Sequence, residues 1–359
     1  MIPRERLLTA CRRGIPDRVP YAFSFTSYVQ EVFERETGAK DMAEYFELDM
    51  RHVGAKPTAK QTDFSCYFAD LDLPADARID EWGTCEVPPE GDDPKTAHFR
   101  HRISPLRNAT ALREVEEFPF PDLDADYRYQ GLAEEVAAIK TRGLAAMGGV
   151  GFSTFDFSWL VRGIDGLMMD MVADPEMATA VMDRVVAILR QSIRRQVEAG
   201  IDIVIWGEDV GTERAMMMSP STWRRWIKPR FRSMIEVAKT ANPDVITWYH
   251  SCGNVEAIIP DLIEIGVEVL NPIQPEAMDP ARIKRLYGDR LALWGSVSVQ
   301  RTMPFGTPDD VRAEVRERIE TVGKGGGFVL APAHVLEPEV PWANILAFVE
   351  AAREHGRYG

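Results

Sequence analysis

His250 and Cys252 are two strong metal-binding side chains set two residues apart, at the end of the apolar run Val245-Ile246-Thr247-Trp248-Tyr249 and just before Gly253-Asn254. A β-branched, aromatic run that stops at glycine reads as a buried strand, and residues two apart on a strand point to one side. An imidazole nitrogen and a thiolate on one side are what zinc takes in preference to oxygen-only sites. Without a third ligand the pair is a core histidine beside an inert cysteine. Three carboxylates, Glu208, Asp209 and Glu213, follow another apolar run, Ile201 to Trp206. They read as a solvated acidic loop, as a further metal ligand or as a general acid/base. Three in one loop exceed what solubility needs, which favours a role for at least one.

Such residues need elements to position them, and the chain supplies a repeating strand–helix pattern. Strands are expected at Val19 to Phe25, Met50 to Ala55, Leu144 to Met147, Ile201 to Trp206, Val245 to Tyr249, Val267 to Asn271, Leu291 to Ser296 and Phe328 to Ala331. Near-continuous apolar runs suit strands buried on both faces of a parallel sheet. Helices are expected at 4–13, stopped by Gly14, and after the cap-plus-proline pairs Asp174-Pro175, Ser219-Pro220, Asp279-Pro280 and Thr307-Pro308. Eight strands separated mostly by helices predict a (β/α)₈ TIM barrel in which 1–359 form a single domain. Between about 58 and 120 prolines and aspartates become frequent. Ile79 to Thr84 and His98 to Ile103 predict an antiparallel hairpin inserted in the N-terminal third, as a lid or as the interface of a homodimer.

In such a barrel the working residues stand where strands run out into loops. The fourth strand ends in Glu208 and Asp209, the fifth in His250 and Cys252, the sixth in Asn271 and Gln274, the seventh in Ser296. The eighth ends in His334, which across a barrel mouth is a candidate third ligand, or else a hydrogen-bonded loop histidine. Glycine runs at 148–151 and 323–327 lack dinucleotide spacing and read as turns. Met216 to Met218 and Phe152, Phe155, Phe157 and Trp159 read as core or as the lining of an apolar pocket.

A formal net charge of −14 spread along the 359 residues argues against nucleic acid as a partner. Four scattered cysteines suit a reducing compartment. The N-terminal stretch lacks an apolar core of signal-peptide length and no run approaches the ~20 apolar residues of a membrane span, so a cytoplasmic protein is expected.

The runs Trp206-Gly207-Glu208-Asp209-Val210-Gly211-Thr212, Met218-Ser219-Pro220, His250-Ser251-Cys252-Gly253, Leu270-Asn271-Pro272-Ile273-Gln274, Phe305-Gly306-Thr307-Pro308 and Gly326-Gly327-Phe328-Val329-Leu330 come in an order that resembles the uroporphyrinogen decarboxylase superfamily. The likeness is dense from about 144 onward. Before that it rests on Arg4-Glu5-Arg6-Leu7-Leu8 and Pro16-Asp17-Arg18-Val19-Pro20. That superfamily holds metal-free decarboxylases, zinc-containing corrinoid-dependent methyltransferases and thus two chemistries. The decarboxylases anchor porphyrinogen carboxylates with arginines just after the first strand, where this chain has Ser24-Phe25-Thr26-Ser27-Tyr28-Val29-Gln30. The methyltransferases carry His-x-Cys where this chain has His250 and Cys252, and a cysteine near the end of the last strand where it offers His334.

The resemblance therefore implies a zinc-dependent methyltransferase, moving a methyl group between a corrinoid (cobalamin, free or held by a corrinoid protein) and a small methyl ether, amine or thiol. His250, Cys252 and His334 would hold zinc, Glu208 or Asp209 would be the catalytic carboxylate, and Asn271, Gln274 and Ser296 would contact the cofactor. A Cys/His/His set keeps one positive charge on zinc, which would favour oxygen- or nitrogen-linked methyl groups over thiols. The rival readings are a decarboxylase of a tetrapyrrole or other carboxylate, and a non-catalytic corrinoid- or small-molecule-binding protein.

Overall fold

The computed structural model describes residues 1–359 apart from 90, 92, 94, 97, 98 and 359. Parallel strands β1 (Met50–His52), β5 (Ala145–Val150), β6 (Ile203–Gly207), β7 (Ile246–His250), β8 (Val269–Asn271), β9 (Ala292–Val297) and β10 (Phe328–Pro332) lie side by side in that order. Helices join consecutive strands and cover the outside, which makes the fold an α/β barrel.

The expected first strand differs from the others. Val19 to Phe25 makes no continuous ladder, and instead forms two isolated parallel bridges, Tyr21 to Leu330 in β10 and Phe25 to Leu336 beyond its end. The Pro20 carbonyl accepts from the Leu330 N–H and Ala22 donates back to the Leu330 carbonyl, but Pro20 has no N–H to give and Val19 donates away from β10, to Gly356. The remaining strands fall where the apolar runs predict them. All four cap-plus-proline helix starts form, over Pro175–Glu198, Pro220–Trp226, Pro280–Tyr287 and Pro308–Thr321, each with its Asp, Ser or Thr cap accepting a backbone N–H.

Residues 58–120 contribute no strand to the large sheet among the described residues. They hold β2 (Arg78–Ile79), β3 (Cys85–Val87) and β4 (His101–Ile103), an antiparallel sheet in which Cys85 pairs with Ile79 and Ile103. The first half of the expected hairpin thus turns back on itself before meeting the second, and His98 lies outside the described residues. Trp82 stacks on Phe157 with ring centroids 4.2 Å apart, which docks the small sheet on the helix Thr154–Arg162. Phe155 is buried, Met218 is buried and Met217 exposed, so the aromatic and methionine clusters pack the core and its surface and do not line the cavity described below.

The N-terminal helix Pro3–Cys11 closes the barrel at the end opposite the cavity. Arg4 donates to both oxygens of Asp202, at 3.1 and 2.8 Å, and Lys140 stands 3.1 Å from the same carboxylate. Burial alone would raise the Asp202 pKa. The bonds from Arg4 and the Ala146 N–H, with Lys140, outweigh it and hold the group below its ordinary value. A carboxyl whose folded pKa is depressed adds stability above its unfolded pKa, and that stability is lost as pH falls through the folded value. Asp202→Asn should therefore cost about 1–3 kcal/mol at pH 7. In urea unfolding the gap from the parent should narrow as pH drops below ~4; an equal gap at pH 7 and pH 3 would show that the ionised carboxylate contributes nothing.

Candidate metal centre at the barrel mouth

Side chains alternate along each strand, so one set of alternate residues faces the barrel axis. On β7 that set is Trp248 and His250, on β1 Met50 and His52, on β6 Ile205, on β8 Asn271 and on β9 Trp294. With Ala22, Phe23 and Ser24 and the stretch Ala331 to Val335 they surround a cavity of about 290 Å³ at the C-terminal ends of the strands. The walls are apolar and aromatic, three histidines project from them, and among the described residues the lining has no Lys, Arg, Asp or Glu.

Continuing the inward set past the end of β6 leads through Gly207 to Asp209, and past the end of β7 to Cys252. Those two residues and His250 form the one group among the described residues whose His, Cys and carboxylate donors could hold a metal, all within 4.8 Å of one another. Cys252 Sγ lies 3.4 Å from His250 Nε2, and Asp209 Oδ1 lies 3.6 Å from the same nitrogen. Atoms bound at ~2.0–2.3 Å to one tetrahedral centre stand roughly 3.3–3.8 Å apart, so the donors fit zinc.

The imidazole is held for that task. Asn271 donates through Nδ2 to the Trp294 carbonyl at 3.2 Å, which leaves its Oδ1 to face His250 Nδ1 at 2.6 Å. Nδ1 therefore carries the proton and Nε2 presents a lone pair to Cys252 and Asp209. Gln274 accepts from the Gly253 N–H at 3.0 Å and Asp209 from the Cys252 N–H at 2.8 Å, so both brace the turn that carries the thiol. Burial, then the charges of Asp209 and Asp156, push the Cys252 thiol up to about 12 in the metal-free chain. It stays protonated at neutral pH unless a cation displaces the proton.

The other expected residues stand elsewhere. Glu208 is fully buried on the outward side of β6, where it accepts from Ser153 Oγ and from the N–H groups of Thr154 (3.2 Å) and Phe155 (2.5 Å). It caps the N-terminus of the helix Thr154–Arg162 and does not reach the cavity. Ser296 is also buried, with φ at +81° and its hydroxyl unpartnered, and it is absent from the cavity lining. His334 lines the cavity, with Nδ1 3.8 Å from Glu337, and its nitrogens lie outside the 4.8 Å group, which has Asp209 as its third member. Glu213 is exposed.

Two residues escaped the sequence reading. Asp156 accepts from the Asp209 N–H at 3.0 Å and from Trp159 Nε1 at 3.3 Å. Its carboxyl is pushed up to about 8 by burial and then by Glu208 and Asp209. It lies in a helix whose aromatic neighbours drew attention away from it. His52 follows Met50 on a short strand, and alternation on that strand was the signal that would have found it.

The loops after β6 and β7 touch backbone to backbone. A Cβ on Gly253, whose φ is +78°, would lie 2.5 Å from the Gly211 carbonyl carbon and 2.6 Å from the Thr212 oxygen. A Cβ on Gly211 would lie 2.5 Å from the Cys252 oxygen. This contact fixes the separation of Asp209 from Cys252.

The fold and site define an α/β barrel with a candidate metal group at the C-terminal ends of its strands. Residues 101–355 match the family model for uroporphyrinogen decarboxylase (URO-D), and the chain belongs to that family. It is 33% identical over 159 residues to the methylcobamide:CoM methyltransferase MtaA of Methanosarcina barkeri, covering 44% of this chain and 43% of the relative. It is 26% identical over 189 residues to the uroporphyrinogen decarboxylase of Chlorobium phaeovibrioides, covering 51% of each. The chain thus spans about half the length of the curated relatives it matches. Among solved structures, a methyltransferase from Methanosarcina mazei superposes with a TM-score of 0.65 at 20% identity, covering 99% of both chains, a likeness of fold. No helix among the described residues is long and apolar enough to cross a membrane.

Replacing Gly253 by alanine should lower thermal stability, since a left-handed residue costs about 1–2 kcal/mol and the added carbon meets backbone that cannot rotate away. A melting temperature unchanged from the parent would mean that the two loops are not packed as described.

Proposed function

We propose that this chain is a zinc-dependent methyltransferase, moving a methyl group between a corrinoid and a small methyl ether, amine or thiol held in the cavity. The observation that carries the reading is the donor group Asp209, His250 and Cys252, with tetrahedral spacing, at the open end of an apolar, aromatic cavity. A zinc ion held there would supply Lewis acidity toward the oxygen, nitrogen or sulfur that bears the methyl group, stabilising the electron pair left on that atom when the methyl group departs. His250 and Cys252 would bind it with Asp209, and His334, in the adjoining wall, is available to the substrate's heteroatom.

The remaining work falls to the chain's own side chains. Phe23, Trp248 and Trp294 orient a flat or apolar substrate and exclude water from one side. Trp248 also lies parallel to the His250 ring, with centroids 6.0 Å apart and planes 18° apart, which limits rotation of the imidazole. A corrin ring is larger than the cavity, so the corrinoid, free or on a partner protein, would approach from the open side as a second substrate.

The lack of basic side chains in the lining weighs against decarboxylation of a tetrapyrrole bearing several carboxylates, which would need cationic anchors. About one zinc per chain is expected by elemental analysis of protein purified without chelator, and a His250→Ala, Cys252→Ala double variant should lose it. The same protein should form methylcobalamin from cob(I)alamin and at least one methyl ether or amine, or demethylate methylcobalamin with a thiol, as read from the cobalamin spectrum. Equal trace metal in parent and double variant would sink the zinc site. Zinc without methyl transfer from any member of the panel would favour the non-catalytic binding reading, and carbon dioxide release from a carboxylate substrate the decarboxylase reading.

A further inference from the structure

We propose that His52 contacts the substrate, recognising by a hydrogen bond a hydroxyl group on the part of an aryl methyl ether remote from the reacting methyl group. The inference rests on the methyltransferase reading above and names the substrate class for the same cavity.

Three histidines line the cavity, and they differ in what they are free to do. His250 is committed on both nitrogens, to Asn271 and to the Asp209 and Cys252 group. His334 stands beside Glu337 and, in the adjoining wall, within reach of the charges of His250 and Asp209. The His52 side chain makes no hydrogen bond, ion pair or ring contact with any described residue. It is nonetheless aimed inward, because Met50 and His52 share the axial side of β1 while Arg51 turns outward to Glu44 and the carbonyls of Leu48 and Met50. Its side chain is exposed to the cavity while protein surrounds it, and that desolvation holds its pKa below the ordinary value, so it is neutral at pH 7. A neutral imidazole both donates and accepts, which suits a hydroxyl and not a carboxylate.

Position decides which part of the substrate it meets. In the sheet order β1, β5, β6, β7, His52 lies three strands round from His250. A methyl ether with its oxygen near His250 and Cys252 would extend across the cavity toward β1. Phe23, Trp248 and Trp294 supply aromatic walls for a ring between the two ends. Among the described residues the cavity lining, away from Asp209 at the mouth, offers no Lys, Arg, Asp or Glu to pair with a charged group. A phenol bearing a methoxy group fits these conditions: ether at one end, ring between aromatic walls, hydroxyl at His52.

The test compares the binding of 4-methoxyphenol and methoxybenzene to zinc-loaded protein, read by quenching of tryptophan fluorescence. One hydrogen bond should make the parent prefer 4-methoxyphenol by roughly tenfold. His52→Phe should abolish the preference while leaving methoxybenzene affinity within about twofold, and His52→Gln, which keeps a donor and an acceptor, should retain part of it. A preference that survives in His52→Phe, or affinities that fall equally for both compounds, overturns the assignment. So does binding of neither compound by the parent. Because binding is read without turnover, absence of methyl transfer from every donor would overturn the proposed reaction and leave this preference measurable.

Discussion

Pairing of His250 with Gly207 on one side and Asn271 on the other is the constraint from which the site follows. Parallel strands in this register bring three strand ends to one level, so the turn after Gly207 that carries Asp209, the imidazole and the amide that orients it arrive together. A shift of one residue in β7 would turn His250 outward and bring Tyr249, which is buried under the helices, to the axis. The apolar runs Ile203 to Trp206 and Val245 to Tyr249 fix that register because both faces of each strand are buried. The chemistry at the mouth is thus specified by packing deeper in the barrel.

A second consequence is electrostatic. Glu208, Asp209 and Asp156 crowd around one strand end, and burial with mutual repulsion raises Glu208 to about 7 and Asp156 to about 8. Glu208 is held by Ser153 and two helix N–H groups, whereas the Asp209 side chain is 45% exposed and stands 3.6 Å from His250. Adjacent carboxylates have come to different uses: Glu208 ties a helix to the sheet and Asp209 supplies a donor.

Much of this was legible in the chain. The strand ends were readable because a parallel sheet demands continuous apolar runs, and the helix starts because Asp174, Ser219, Asp279 and Thr307 each precede a proline. The His-x-Cys pair was readable because two-residue spacing survives the end of a strand by one turn. The same parity, counted from Ile205, would have separated Asp209 from Glu208. What could not be read was long-range: that His334 stops short of the group, that Asn271 and Gln274 brace His250 and the Cys252 turn, and that Ser296 is enclosed. These depend on loop paths that no local pattern encodes. The bridged segment Val19 to Phe25 shows the converse limit, since an apolar run beside Pro20 has strand composition without a full set of donors.

If zinc is held by Asp209, His250 and Cys252, as proposed, and not by His334, the charge argument for substrate choice changes. With one thiolate, one carboxylate and a neutral imidazole, a divalent zinc ion is formally neutral, as it would be with two thiolates and one histidine, so attraction of an anionic oxygen to residual positive charge no longer follows. What remains is the character of the donors. A carboxylate oxygen is harder than a thiolate sulfur and returns less electron density to the metal, which leaves the ion more Lewis acidic toward its next ligand. That still favours polarising an ether oxygen or an amine nitrogen over activating a bound thiolate, but through donor softness instead of net charge. Restoring charge and softness separately distinguishes the two. Asp209→Cys keeps the formal charge and adds a soft donor, Asp209→Asn adds one positive charge and keeps an oxygen. If softness governs, only the first should shift activity from ethers toward thiols, whereas a shift in the second alone would return the argument to charge.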